Sequence, residues 1–267
     1  MKRLWKIFVR VIRSYSIEEK VLSIIVFGMV FFVLAQTVVD AFKTRNVFNQ
    51  DRVAFTEGMV SDKKITINPL YVDFNESSRD ISRLVFSGLS AYDPAKKAFV
   101  DDMAVLTISE DKMTYRFVMK PNLVWHDGQP ITADDVYFTF HDLAQNPAFQ
   151  NRVIKTNFED VEIKLIDPQT IEFKLKKPNA YFITNMNVGI LPKHILSDTP
   201  IDQLPSSQFN AKHVGSGPYR VDSPLEVFDD GRKHVALKAY ENYYGERPRI
   251  NLIHFNIYPD FDSLMQE

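Results

Sequence analysis

The chain contains no cysteine among its 267 residues. This absence excludes disulfide bonds, thiolate metal ligands and cysteine nucleophiles. The six histidines show neither the HxH nor the HExxH spacing on which dedicated zinc sites rely. They are His126, His141, His194, His213, His234 and His254. We therefore predict no resident metal ion and no cofactor.

Motifs of hydrolases and nucleotide-binding enzymes are absent or incomplete. Gly215-Ser216-Gly217 misses the G-x-S-x-G spacing of a nucleophile elbow by one residue, and we predict a sharp turn there instead. Ser61 and Lys64 have the S-x-x-K spacing of penicillin-binding enzymes, but no K-T-G follows. No G-x-x-x-x-G-K-[ST] loop occurs, so we do not expect the chain to hydrolyse nucleotides itself.

A catalytic or metal pair is one interpretation of His126-Asp127, which follow Trp125. The structural interpretation is favoured, because Asp127 can close an Asx-turn, His126 can satisfy a nearby carbonyl and Trp125 can fill the core. The sequence therefore predicts a protein that is not an enzyme.

Charge is distributed unevenly along the chain. The formal net charge is −2, yet the six basic and two acidic residues of 1–20 give +4, so the remainder carries −6. A mildly acidic body argues against nucleic acid as a partner.

Residues 21–39 contain nineteen amino acids without a charged side chain. This length is close to the ~20 apolar residues that cross a bilayer as a helix. The basic residues before the segment would stay cytoplasmic, which places the chain after Asp40 outside the membrane. Cleavage as a signal peptide after Val33-Leu34-Ala35 is the alternative; we favour an uncleaved anchor because the segment is long for a signal peptide.

The segment from Tyr115 to Phe140 predicts a strand, a turn and a capped helix. Apolar residues alternate with polar ones up to Met119, and Pro121 ends the strand. Asp127-Gly128 predicts a tight turn. Thr132 stands three residues before Asp135, as in a capping box, and a helical spacing of apolar residues follows over 133–145.

Three hairpins and a further helix follow from the same patterns. The hairpins turn at Glu110-Asp111-Lys112, at Asp167-Pro168-Gln169 and at Asp229-Asp230-Gly231. A helix is predicted over 75–88, with Gly88 as its C-terminal cap. With a first strand over 52–60, these elements predict an α+β fold.

Four stretches, in order, resemble the family 5 extracellular solute-binding proteins, the peptide and nickel receptors of ABC importers. They cover about 200 residues. They are Asn68-Pro69-Leu70 with RLVFSGLSAYD (83–93), TYRFVMKPNLVWHDGQPITADDVYFTF (114–140), DPQTIEFKLKKPNAYF with ILPKHIL (167–196), and VGSGPYRV with ALKAYENYYGERPRI (214–250).

The resemblance implies a periplasmic-binding-protein-like lobe of type II, with a mixed sheet and hairpins. The expected organisation is a cytoplasmic segment (1–20), a transmembrane helix or signal anchor (21–39), a stalk (40–52) and a solute-binding lobe (53–267). Because the chain stops at Glu267, where relatives lead into a second lobe, we favour truncation over a natural half-receptor. The missing lipobox cysteine favours a helical anchor, with the lobe extracytoplasmic at the cell membrane.

The function implied by the resemblance is that of the substrate-binding component of an ABC importer. It would bind oligopeptides or similar small solutes without chemistry, and its partners would be permease subunits with their ATPases. A membrane-anchored sensor or scaffold that retained one binding lobe is the alternative.

The ligand-binding residues implied by the resemblance lie in a loop after the first strand, at Thr56, Glu57, Gly58 and Met59. Glu57 would pair with a peptide's α-amino group, and Gly58 would let the backbone approach closely. A solvated loop without a ligand is the alternative. Aromatic rings and backbone amides would hold an extended peptide by β-augmentation.

Overall fold

The computed structural model describes residues 16–18, 36, 54–72, 75–210 and 213–266. The chain divides into two units, Met1–Arg52 and Val53–Glu267, and the second contains every described strand. Among the described residues, no helix has the length and apolar character needed to cross a bilayer. The predicted span 21–39 lies outside these ranges, apart from Gln36.

Strands and short helices alternate along the second unit. The strands are β1 (Ala54–Val60), β2 (Ser90–Asp93), β3 (Ala98–Asp101), β4 (Ala104–Ile108), β5 (Thr114–Met119), β6 (Glu162–Asp167), β7 (Thr170–Lys174), β8 (Tyr219–Val227), β9 (Lys233–Ala239) and β10 (Leu252–Tyr258). The α-helices are α1 (Glu76–Val85), α2 (Ala133–Tyr137), α3 (Arg152–Phe158), α4 (Lys193–Leu196) and α5 (Phe261–Met265). Helices of the 3₁₀ type occur at Pro69–Tyr71, Phe182–Asn187, Ile201–Ser206 and Gln208–Asn210.

Two four-stranded sheets and one hairpin organise these elements. The first sheet has the order β1-β10-β9-β8, in which β1 runs parallel to β10 and the other pairs are antiparallel. The second sheet, β4-β5-β7-β6, is antiparallel, and β2 pairs with β3. The three predicted hairpins are present, with Lys112 and Gly231 at positive φ. The predicted α+β class is confirmed.

The predicted turn and capping box are confirmed, but the helix that follows is not α-helical throughout. Gly128 has a φ of 86°, and the Thr132 N–H donates to Asp135 Oδ2 at 3.0 Å. The other carboxylate oxygen of Asp135 accepts the Lys193 N–H at 3.0 Å, which ties α2 to α4. After Tyr137 the chain continues as a π-helix, Phe138–Ala144, a change that the apolar spacing did not predict.

Helix α1 is shorter than predicted, and the proposed glycine cap is wrong. The helix begins after Asn75, whose side chain accepts the Ser78 N–H, and it ends at Val85 because Phe86 is already extended. Gly88 lies beyond the end, where an added Cβ would stand 2.5 Å from the Met186 carbonyl oxygen. Its small size therefore serves close packing of two chain segments.

Aromatic side chains join the second sheet to the helices that cover it. Phe173 on β7 is fully buried and lies 5.8 Å from Phe117 and from Phe140, 6.0 Å from Phe182 and 6.4 Å from Phe158, measured between ring centroids. Rings at these separations contribute their buried area together with a favourable edge-to-face term. This cluster is the centre of the core.

Truncating the central ring should destabilise the protein strongly. We expect Phe173→Ala to lower the free energy of unfolding by about 3–5 kcal/mol, because a cavity replaces a ring that touches four others. Val118→Ala is the control, since Val118 is 41% exposed on the other face of the same sheet. Urea denaturation measures both variants, and equal losses would contradict the assigned core.

Candidate functional site

The four predicted binding residues lie within strand β1, which confirms the strand predicted over 52–60; the loop that the resemblance implied for them is wrong. Thr56, Glu57, Gly58 and Met59 pair in parallel with residues 254–257 of β10. β1 is the outer strand of its sheet, so among the described residues no strand pairs with its other edge. The site is therefore the open edge of a sheet.

The hydrogen-bonding pattern shows which backbone groups point to this open edge. The Ser61 N–H donates to the Tyr258 carbonyl at 2.8 Å, so this odd-numbered residue bonds toward β10. Because successive residues of a strand alternate in direction, Thr56, Gly58 and Val60 direct their N–H and C=O groups outward. The Val60 carbonyl accepts from the Ser77 hydroxyl at 3.5 Å.

Thr56 and Gly58 thus present the open part of the edge. In the described part of the chain, no protein group pairs with their outward N–H and C=O groups. Unpaired backbone groups in a row form a template for another strand. The edge offers two donors and two acceptors to an extended ligand.

Side chains of β1 alternate between the two faces of the sheet. Glu57 and Met59 are half-buried on the face that carries Phe255, and Met59 packs against the core. Gly58 is on the opposite face, where an added Cβ would meet Leu264 Cδ1 at 2.7 Å. Packing of α5 is thus a sufficient reason for glycine at this position.

His126 has the structural role predicted for it. Gly215 donates its N–H to His126 Nδ1 at 3.1 Å, so Nε2 carries the proton and donates it to the Gly217 carbonyl at 3.0 Å. Burial lowers the pKa of His126 to about 4. Trp125 is fully buried, and the Asp127 carboxylate accepts the Gln129 N–H in an Asx-turn. A neutral histidine therefore fastens the 215–217 loop to this turn.

Ser216 is engaged in packing and is not placed as a nucleophile. Its hydroxyl oxygen accepts the Ser87 N–H at 3.0 Å, and the side chain is buried. An added Cβ at Gly215 would stand 2.0 Å from the Val85 carbonyl, so glycine permits this close approach. The turn predicted at 215–217 lies against the end of α1.

The fold brings two histidines together that the sequence kept apart. His234 on β9 and His254 on β10 are 3.1 Å apart between Nε2 and Nδ1. Their separation of twenty residues matches no short metal-binding motif, so the sequence alone does not mark them as neighbours. Among the residues described, no group of three or more His, Cys, Asp or Glu side chains is placed to hold a metal ion.

The mixed α+β fold of the described residues resembles that of family 5 periplasmic binding proteins. The family described as "Bacterial extracellular solute-binding proteins, family 5 Middle" matches residues 93–267. The chain belongs to this family, which confirms the resemblance and agrees with the prediction that the chain is not an enzyme.

Curated relatives are receptors for peptides. The chain is 28% identical over 204 residues to the oligopeptide-binding protein AppA of Bacillus subtilis, covering 75% of this chain and 36% of the relative. It is 28% identical over 174 residues to the dipeptide-binding protein of Escherichia coli K12, covering 57% of this chain and 31% of the relative. The chain thus spans about a third of the length of the relatives.

Solved structures share the fold. AppA from Bacillus subtilis, in complex with a nonapeptide, superimposes with a TM-score of 0.67 at 27% identity, covering 78% of this chain and 40% of that one. NikZ from Campylobacter jejuni, in complex with Ni(L-His), gives a TM-score of 0.65 at 28% identity, covering 76% and 39%. This likeness confirms a family 5 solute-binding fold for the described residues.

The neutral state of His126 makes stability depend on pH. Its pKa in the folded protein, about 4, lies below the ordinary value of 6.5. Stability is therefore full above pH 6.5 and is lost as the pH falls toward 4, by up to about 3 kcal/mol. We expect His126→Gln, which can donate and accept similarly, to flatten the loss between pH 7 and pH 5.

Urea denaturation at both pH values measures this effect. His213, whose pKa burial also lowers to about 4, should leave a residual pH dependence in the variant. An unchanged difference between pH 7 and pH 5 would show that His126 does not carry the effect.

Proposed function

We propose that this chain is the extracytoplasmic substrate-binding component of an ABC importer and binds oligopeptides or similar small solutes without chemistry. The observation that carries the proposal is the open edge of β1, where the outward backbone groups of Thr56 and Gly58 have no partner in the described residues. The named relatives, receptors for oligopeptides and dipeptides, support peptides as the ligand class.

An extended peptide would add to this edge as a further strand. Its backbone would pair with the N–H and C=O groups of Thr56 and Gly58, which gives affinity independent of peptide sequence. Glu57, half-buried between them, would accept a charge-assisted hydrogen bond from the α-amino group. Met59, whose side chain packs on the core, would hold β1 in place while the peptide binds to its edge.

Transport follows from the family rather than from the geometry of this lobe. The ligand would be enclosed when a second lobe closes over the β1 edge, and the loaded receptor would meet permease subunits with their ATPases. Residues 21–39 would anchor the chain as a single-pass helix, residues 40–52 would form a stalk, and 53–267 would be the extracytoplasmic lobe.

Replacing the carboxylate tests the role of Glu57. We expect Glu57→Gln to weaken binding of tri- to nonapeptides roughly ten-fold, because a charge-assisted hydrogen bond to the α-amino group is lost. N-acetylated peptides should bind both forms equally. Isothermal titration calorimetry measures the affinities, with Glu110→Gln in the exposed β4–β5 turn as the control. An unchanged affinity for free peptides in Glu57→Gln would remove this assignment.

Proline substitutions test the direction of the backbone groups. Thr56→Pro removes an outward N–H and should abolish peptide binding while the protein stays folded. Phe55→Pro removes an N–H that bonds toward β10, so it should lower the thermal midpoint by several degrees. Thr56→Val keeps the backbone donor and should bind normally. Full binding by Thr56→Pro would contradict pairing at this edge.

A further inference from the structure

Two imidazoles meet on the face of the first sheet that points away from the core. His234 lies directly across from Asn256, and the next residues in sequence, Val235 and Phe255, are buried on the opposite face. The rings of His234 and His254 are nearly parallel, at 21°, with centroids 5.4 Å apart. Both side chains are half-buried and face solvent together.

The separation of the two nitrogens fits a shared metal ion. Two nitrogens that each bind one ion at about 2.0–2.1 Å lie about 2.8–3.4 Å apart when the angle between them is about 90–110°. His234 Nε2 and His254 Nδ1 are 3.1 Å apart. The same distance suits a hydrogen bond between two neutral rings, and the experiments below distinguish the two.

Glu226 places a negative charge beside the pair. Glu226 on β8 is in register with His234, and its Oε2 lies 4.0 Å from the Nδ1 atom of that ring. Metal-binding histidines typically direct their far nitrogen at a carboxylate, which selects the tautomer and makes the near nitrogen a better ligand. The Glu226 carboxylate lies on that far side of His234, and at 4.0 Å it acts through its negative charge and not through a direct hydrogen bond.

Room and further donors adjoin the pair. A cavity of about 230 Å³ is bordered by His234, Asn256 and Tyr258. Thr56 lies directly across from His254 on the same face, so that a hydroxyl and an amide oxygen flank the imidazoles. Two positive charges also border the cavity, and each has a partner: Lys233 Nζ donates to the Ser61 carbonyl at 3.0 Å, and Arg232 pairs with the Asp230 carboxylate at 2.7 Å.

We propose that His234 and His254 form a binding site for a divalent late first-row transition metal ion. Imidazole nitrogens suit Cu²⁺, Ni²⁺ and Zn²⁺ and do not suit Mg²⁺ or Ca²⁺. Two protein ligands leave the other coordination positions to water or to a small solute, so the ion is exchangeable. The two histidines are not residues of the peptide edge, which uses the backbone of Thr56 and Gly58, so the metal site stands or falls separately from the proposed function.

Metal titration of the untagged, metal-stripped full chain tests the site. Calorimetry with Zn²⁺, Ni²⁺ and Cu²⁺ at neutral pH should show one equivalent bound, and Mg²⁺ none. His234→Gln and His254→Gln should each weaken binding at least ten-fold, and Glu226→Gln several-fold. The control is His141→Gln, which should leave metal affinity unchanged, since His141 lies on the π-helix and is hydrogen-bonded to Asp142. Equal affinities in wild type and His234→Gln would overturn the site.

A measurement on the wild-type chain avoids any effect of substitution on folding. Diethyl pyrocarbonate modifies accessible imidazoles, and peptide mapping locates the modified residues. Zn²⁺ should protect His234 and His254 from modification and leave His141 unprotected. Equal modification of His234 and His254 with and without the metal would show that the two rings are only hydrogen-bonded to each other.

Discussion

The parallel pairing of β1 with β10 is the constraint on which the candidate site depends. It joins residues 54–60 to residues 252–258 across almost two hundred positions of sequence. In this pairing, the backbone N–H and C=O groups of every second residue of β1 bond to β10, and the backbone groups of Thr56 and Gly58 point outward. The same register places Thr56 beside His254 and brings Leu264 of α5 over Gly58. A shift of one residue would exchange both the outward groups and the faces of all side chains.

Elements of the fold that depend on local contacts were predictable from the sequence. Alternating apolar residues identified the hairpins, because a period of two places them on one face. Thr132 and Asp135 identified the start of a helix, because a capping box joins residues only three apart. The structural role predicted for His126 was also confirmed: both ring nitrogens are hydrogen-bonded. Nothing in the sequence revealed that the two partners are Gly215 and Gly217.

Features that depend on distant segments were not predictable in this way. Gly88 was predicted as a helix cap from its position in the sequence. Glycine is needed there because an added Cβ would clash with the carbonyl oxygen of Met186, almost a hundred residues away. The resemblance implied a loop at residues 56–59, although the predicted strand over 52–60 includes them, and the pairing with β10 shows that they belong to the strand. His234 and His254 become neighbours only when β9 and β10 pair. The π-helix after Tyr137 keeps apolar residues buried without the α-helical hydrogen bonds that the spacing predicts.

The open edge of β1 is the proposed place of ligand binding. Binding there needs no side-chain chemistry, which is consistent with a chain that belongs to a family of solute receptors and has no assembled catalytic group among its described residues.

The direct measurement is amide hydrogen exchange, resolved to single residues, with and without a bound oligopeptide. The account predicts slower exchange at Thr56 and Gly58 and little change at Glu57, whose N–H already bonds to β10. Peptide binding with unaltered exchange at Thr56 and Gly58 would contradict it.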